Sequence, residues 1–240
     1  RFGAKDTVGM RRSVAASTLL GIFFTIFVTL VCCALSRLIL DWIHTPEDIY
    51  QQAYDYMFLI LLGTAAPVFY NLISNLLRAL GDSRTPLYFL IFSSLLNVVL
   101  DIVFIVPLHM GVAGAAWATV LSQSLSALIS LVYMFKRYPV FRFSLPDFKL
   151  KPCEIKALYA SGLSMAAMMS LVFFGTLSLQ CAINTFGQDI IVAHTAARKI
   201  TEFFMLPFSV MGVTMATYCG QNMGAGKKDR IRTGIRQALI

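Results

Sequence analysis

Asp101 is the residue in most need of a chemical explanation, because it is a lone acid deep inside an otherwise apolar run. An ionised Asp at the centre of a bilayer costs about 2.5 to 3.5 kcal/mol on the insertion scale, and such residues face a bundle interior or a cavity. A carboxyl at that depth is poised to trade its charge for a proton or a cation, so a proton or cation site is the chemistry to expect. Asn97 and Ser93 lie four and eight positions earlier, which puts all three on one helix face as a polar stripe. The competing reading makes Asp101 a neutral acid that ties neighbouring helices together.

Three further groups could serve the same chemistry. Thr119 and Gln123 form another four-residue step, continued roughly by Ser126 and Ser130, and such residues glue helices as often as they line a pathway. Asn71 and Asn75 share a face of an earlier run and could touch the Asp101 region. Arg198 and Glu202 make a four-residue charge pair beside Lys199. They could line a cavity and attract anions, or simply pair and snorkel.

Other signals fail on spacing. A phosphate loop needs a Gly five residues before Gly226-Lys227 and a hydroxyl residue after, yet Gln221 and Lys228 hold those positions. His44, His109 and His194 are scattered, which argues against a metal cluster. No nucleophile, base and orienting acid share usable spacing, so neither an enzyme nor a resident cofactor is expected.

The elements that must position these residues follow from composition. The chain is 58% hydrophobic and only 13% charged, with a mean hydropathy of +0.72, against about 25% charged residues in a soluble domain. Charge-sparse windows long enough to cross a bilayer core about 30 Å thick run approximately over Val14–Ser36, Tyr56–Leu77, Leu87–Leu108, Val112–Phe135, Ala157–Phe186 and Ile190–Tyr218. They are apolar on every face, unlike the short alternating segments of a membrane barrel. The predicted class is therefore all-α and polytopic. Cys32, Cys33, Cys181 and Cys219 lie in or at the end of these runs and, with Cys153, read as small buried hydrophobes rather than disulfides. Gly111, Gly114, Ala115 and Ala118 have the small-residue spacing of close helix packing. Pro67 and Pro207 fall inside spans, where they predict bends that are hinges or merely tolerated kinks.

Charge sorts by connection. Residues 1–13, the loop at Arg78, Asp82 and Arg84, the loop from Lys136 to Lys156 and the tail from Lys227 are each net basic. The intervening connections, with Asp41, Glu47, Asp48, Asp55 and Asp189, are acidic or uncharged. This regularity predicts a multi-pass protein of the plasma (inner) membrane with Arg1, Arg84, Lys149 and Lys228 in the cytoplasm. It also accounts for the net charge of +8 without nucleic acid, since no single basic face results.

Phe2-Gly-Ala-Lys-Asp followed by Arg11-Arg12 recurs as Met223-Gly-Ala-Gly-Lys-Lys-Asp followed by Arg230 and Arg232, so that Gly3 aligns with Gly224. Both copies precede a new helical run, which predicts a longer parent built from two six-helix halves of parallel topology, with both ends of this chain cut. The expected organisation is first-half helices over 1–135, an inter-lobe loop over 136–156 rich in proline, and the start of the second half over 157–240.

At this point the residues resemble a known family, the multidrug and toxic compound extrusion (MATE) transporters, particularly their proton-coupled bacterial branch. The resemblance spans nearly the whole chain. It is carried by Leu77-Arg-Ala-Leu-Gly-Asp-Ser-Arg-Thr-Pro86, Asn97-Val-Val-Leu-Asp101, Gly111-Val-Ala-Gly-Ala-Ala-Trp-Ala-Thr119 and Gly220-Gln-Asn-Met-Gly-Ala-Gly226. It implies spans three to eight of twelve, in two lobes around a cavity open to one side at a time. It also implies cation coupling, by protons or sodium ions, at Asp101, Asn97 and Thr119, with a partner acid on a span this chain does not contain. Some relatives carry a carboxylate for sodium in the seventh span; Met168-Met-Ser-Leu-Val-Phe-Phe-Gly175 has none.

The functional expectation is a secondary antiporter that exports amphipathic or cationic compounds in exchange for protons or sodium, works as a monomer and partners only the bilayer and its cargo. Lipid-precursor flippases of the same superfamily and a non-transporting receptor or scaffold are the rivals.

Overall fold

The computed structural model describes residues 1–42, 47–141, 152–184 and 186–239. Among them are eight helices, a 3-10 turn at Pro139–Phe141 and no strand. The helices are α1 (Thr7–Trp42), α2 (Glu47–Leu62), α3 (Ala65–Ala79), α4 (Arg84–Ile105), α5 (Gly111–Arg137), α6 (Pro152–Asn184), α7 (Gln188–Gly224) and α8 (Lys228–Ala238). Among the described residues, six segments are long and apolar enough to cross a membrane, with α2 and α3 together forming the second. The all-α polytopic class read from composition holds. His44, Lys149 and the middle of the proline-rich loop lie outside the described residues, as does the side chain of Cys153.

The helices overrun their apolar windows where local chemistry permits. α2 starts at Glu47, not at Tyr56, because Glu47 and Asp48 in its first turn complement the helix dipole. α4 stops at Ile105, short of Leu108, because Pro107 has no amide hydrogen to continue the ladder beyond the Val106 N–H, which still donates to Ile102 O. The two in-span prolines then differ. Pro207 sits inside an unbroken α7. At Pro67 the missing amide frees the carbonyl of Gly63, the chain turns through Gly63 and Thr64, and Gly63 O instead accepts from Ala66 N at 3.0 Å.

The chain divides into two compact units, one of residues 7–149 and one of residues 1–6 with 150–240. In the first, α5 packs against α2, α3 and α4. Its buried positions include Gly114, Ala118, Ser122, Ser126, Ser130 and Met134, a four-residue repeat of mostly small side chains that lets three neighbours approach closely. The approach is tightest at the kink, where a methyl on Gly63 would overlap the Val120 side chain. One end of the unit is closed by Val14, Ile73, Leu77, Met134 and Phe141.

In the second unit α6 packs on α7 and α7 on α8. The two copies of the repeated segment meet here: a methyl on Gly3 would overlap the Gln221 carbonyl, and one on Gly224 would come within 3.1 Å of Ala4 N. The cysteines depart from the buried expectation. Cys32, Cys33 and Cys219 are half-buried and Cys181 is exposed, all four as free thiols.

Candidate functional site

Within the first unit, α3, α4 and α5 enclose a polar cleft of about 280 Å³. α4 contributes Ser93, Ser94 and Asn97, and α5 contributes Thr119, Ser122, Gln123 and Ser126. α3 adds Pro67, Tyr70 and Asn71 from just beyond the kink. Each set sits at three- or four-residue steps, which is why one helix face can present it. The volume falls just below the range for small-molecule sites, enough for a hydrated ion or one end of an organic cation.

The centre of the cleft is a short relay. The Thr119 hydroxyl donates to Ala115 O at 3.0 Å, so its lone pair is available to accept from Asn97 Nδ2 at 3.4 Å. With the amide nitrogen turned to α5, the Asn97 carbonyl oxygen remains a neutral acceptor of the kind that alkali cations and proton donors use. Two ties hold the walls. Ser126 Oγ donates to Phe89 O at 3.0 Å, and the Tyr70 hydroxyl donates to Pro86 O at 2.7 Å.

Asp101 lies one helical turn beyond Asn97 and is half-buried. Its Oδ1 is closed off and has no hydrogen-bond partner among the described residues. A buried acceptor left in that condition costs about 1 to 3 kcal/mol, and more if charged, so a proton or a cation at this oxygen relieves an existing penalty. The stripe expected on α4 is thus divided: Ser93 and Asn97 face the cleft, while Asp101 is not among its lining residues.

The other sequence candidates separate. Asn71 and Gln123 line the cleft. Asn75 does not; its Oδ1 accepts from Arg78 at 3.5 Å. Arg198 and Glu202 form the expected pair at 3.1 Å on α7, with Lys199 3.8 Å from the other carboxylate oxygen, and all three are exposed. Among the described residues no group of His, Cys, Asp and Glu is disposed to hold a metal ion.

Sequence reasoning passed over two features. Ser122 and Tyr70 line the cleft, and their spacing from Thr119 and Pro67 could have found them. The second feature is a saturated acid. Gly81, at a φ of +91°, ends α3 in a conformation that glycine adopts without strain, and Asp82 N donates back to Leu77 O at 3.0 Å. The Asp82 carboxylate is thereby aimed at the start of α4. It accepts from Thr85 N at 3.1 Å, Thr85 Oγ1 at 2.8 Å, and the Tyr133 and Tyr138 hydroxyls at 3.3 Å. Burial pushes this carboxyl up, but the Thr85, Tyr138 and Tyr133 hydrogen bonds outweigh it and hold the group below the ordinary carboxylate value. Burial, and then the Asp82 charge, push the Tyr138 hydroxyl up.

Comparison with known proteins bears directly on this arrangement. A profile described as MatE matches residues 1–103 and 164–240. The "Probable multidrug resistance protein YpnP" of Bacillus subtilis (strain 168) is 32% identical over 230 residues, covering 95% of this chain and 51% of that protein. A solved structure described as an outward-facing conformation of a multidrug resistance MATE family transporter of the MOP superfamily superposes with a TM-score of 0.86 at 26% identity, over 100% of this chain and 53% of that one. A MOP superfamily transporter from Pyrococcus furiosus, whose binding pocket is described as having reverse polarity suggesting a different function, gives the same TM-score, identity and coverage. The chain spans about half the length of the curated relatives it matches.

Proposed function

We propose, from the premise that this chain belongs to the MatE family, that it forms the cation-coupling half of a secondary antiporter that exports amphipathic, cationic compounds by alternating access. The antiport reading is carried by one observation: a carboxylate oxygen of Asp101, unpartnered among the described residues, lies one turn from the hydrogen-bonded Asn97–Thr119 pair. In this reading Asp101 exchanges its bound proton or sodium ion between states, Asn97 offers a neutral acceptor, and Thr119 holds Asn97 in place. Asn71 and Gln123 shape the adjoining cargo path. Arg198 and Glu202 neutralise one another on α7.

Basic and acidic connections alternate along the chain, which supports a plasma-membrane orientation with Arg1, Arg84 and Lys228 in the cytoplasm. The organisation into residues 1–135, 136–156 and 157–240 is proposed on the same footing, as is function as a monomer.

The decisive experiment measures efflux of a fluorescent organic cation from everted vesicles under imposed proton or sodium gradients. Asp101→Asn is expected to abolish gradient-driven efflux while membrane abundance is unchanged. Undiminished efflux by that variant would overturn the coupling role.

A further inference from the structure

The repeat seen in the sequence is also a repeat of backbone structure. In the first copy Lys5 N donates to Phe2 O at 3.0 Å and Asp6 N to Arg1 O at 3.1 Å. In the second, Gly226 N donates to Met223 O at 3.1 Å and Lys227 N to Asn222 O at 2.9 Å. Both are the paired bonds of the Schellman motif by which helices end. The residue that turns left-handed is Gly226 in one copy, at a φ of +72°, and Lys5 in the other, at +55°. A lysine takes up that backbone only at a cost, so its own preference does not place Lys5 there. The next helix starts at the equivalent position in each copy, α1 at Thr7 and α8 at Lys228.

The two turns also face each other within one compact unit. The register that pairs Gly3 with Gly224 pairs Ala4 with Ala225. A methyl on Gly3 would come within 3.1 Å of Ala225 N, and one on Gly224 within 3.1 Å of Ala4 N. These two contacts exchange under the register, which is the mark of a two-fold axis, and the axis passes between the glycines. Neither position has room for a larger residue. The Gly3 methyl would also overlap the Gln221 carbonyl, and the Gly224 methyl would lie 3.4 Å from Gly3 Cα.

In a parent of two parallel halves, the axis that relates them runs along the membrane normal. A path between the halves straddles that axis, and the two turns meet on it at the face where the basic connections gather. We infer that the Gly3–Gly224 contact is a latch that closes the transport path at that face, and that the path opens there only when the two turns part. Glycine on both sides suits this use, because backbone meets backbone with no side chain of either residue to unlock. The inference rests on export by alternating access and is independent of which residue couples the ion. A permanent joint between the halves would share this geometry but not its consequence for transport.

The test uses the full-length parent with its native cysteines replaced by serine. Ala4→Cys/Ala225→Cys puts one thiol on each turn beside the axis, at exposed positions. A short bis-methanethiosulfonate reagent then joins the turns reversibly, and efflux of a fluorescent organic cation is followed in everted vesicles. Linkage is expected to slow efflux at least tenfold. Reductant should restore the unlinked rate, which shows that the fold is intact, and each single-cysteine variant should keep efflux in the presence of the reagent.

The second measurement needs no efflux, so it tests the latch even if the antiport reading fails. Leu90→Cys places a lone thiol at an exposed position of the cleft, and a membrane-impermeant maleimide is applied at the face that carries Gly3. Gly3→Ala/Gly224→Ala drives the turns apart and is expected to raise the labelling rate about tenfold, the scale of a modest overpacking. Undiminished efflux in linked protein, a cysteine pair that does not link, or labelling unchanged by Gly3→Ala/Gly224→Ala would each overturn the latch.

Discussion

Two acids of the first unit, nineteen positions apart in sequence, occupy opposite chemical situations. Asp82 sits in a loop where four donors converge on its carboxylate, so its charge is fully spoken for. Asp101 sits within α4, and one of its oxygens has no partner among the described residues. On the proposed reading, the difference separates a structural acid from a working one. An acid whose acceptor capacity is filled by the fold cannot change charge without loosening it, whereas one left short of donors can bind a cation and give it back.

The sharpest way to break this comparison is to neutralise both acids in turn. Asp101→Asn should reduce gradient-driven efflux to background, about a hundredfold or more if the site acts as a unit, with the thermal midpoint unchanged because no hydrogen bond of the fold to Oδ1 is lost. If its thermal midpoint instead fell like that of an Asp82 variant, the distinction would be lost.

Next in size is the close approach that seats α5. Gly63→Ala forces its methyl onto Val120, next to Thr119, and overpacking of this kind costs about 1 to 3 kcal/mol. Val120→Ala in the same chain should restore both stability and efflux, since it removes the methyl groups that collide. A double variant no better than Gly63→Ala alone would show that the kink needs glycine for another reason.

Thr119→Val keeps the shape of the side chain but deletes the acceptor for Asn97. One hydrogen bond of about 1 kcal/mol translates to roughly a fivefold rise in the coupling-ion concentration needed for half-maximal efflux, with abundance unaltered.

Smallest is Asp82→Asn, expected to lower stability by about 1 kcal/mol, because solvent screens a half-buried carboxylate, and the thermal midpoint by about 2 to 4 °C. Its pH dependence has a definite sign. The folded carboxyl lies below its unfolded value of about 3.9, so the stabilisation is fully present above that pH and is lost as pH falls through the lower folded value. Melting curves of the parent and Asp82→Asn should therefore converge in acid and part again near neutrality.

How much of this was legible in the sequence depends on the distance over which each feature is built. The spans and the α4 stripe are local, so hydropathy and four-residue spacing locate them within a few residues. Asn97 and Thr119 stand twenty-two positions apart but on adjacent apolar runs, and the resemblance to a known family joins them. The Asp82 cage draws Tyr133 and Tyr138 from more than fifty positions away, and no periodicity announces such a contact. Pro67 marks the kink, but the break falls four residues earlier, at the carbonyl the proline leaves unpaired. That Pro207 leaves its helix continuous could not be read from residue type, because the same chemistry acts in both places and only the neighbours differ.

The column of small side chains down α5 has a bearing on how a protein of this kind changes under selection. Ala116 and Ala118 are wholly enclosed and Ser122, Ser126 and Ser130 nearly so, with three helices seated around them. Any gain in side-chain volume there must move a neighbour, so most adaptive paths through α5 are closed. Asn71 and Leu90 line the same cleft from exposed positions. If the cleft is the cargo path proposed above, altered cargo range in a population grown under a new toxic compound should arise first at those rim residues, with the α5 column unchanged.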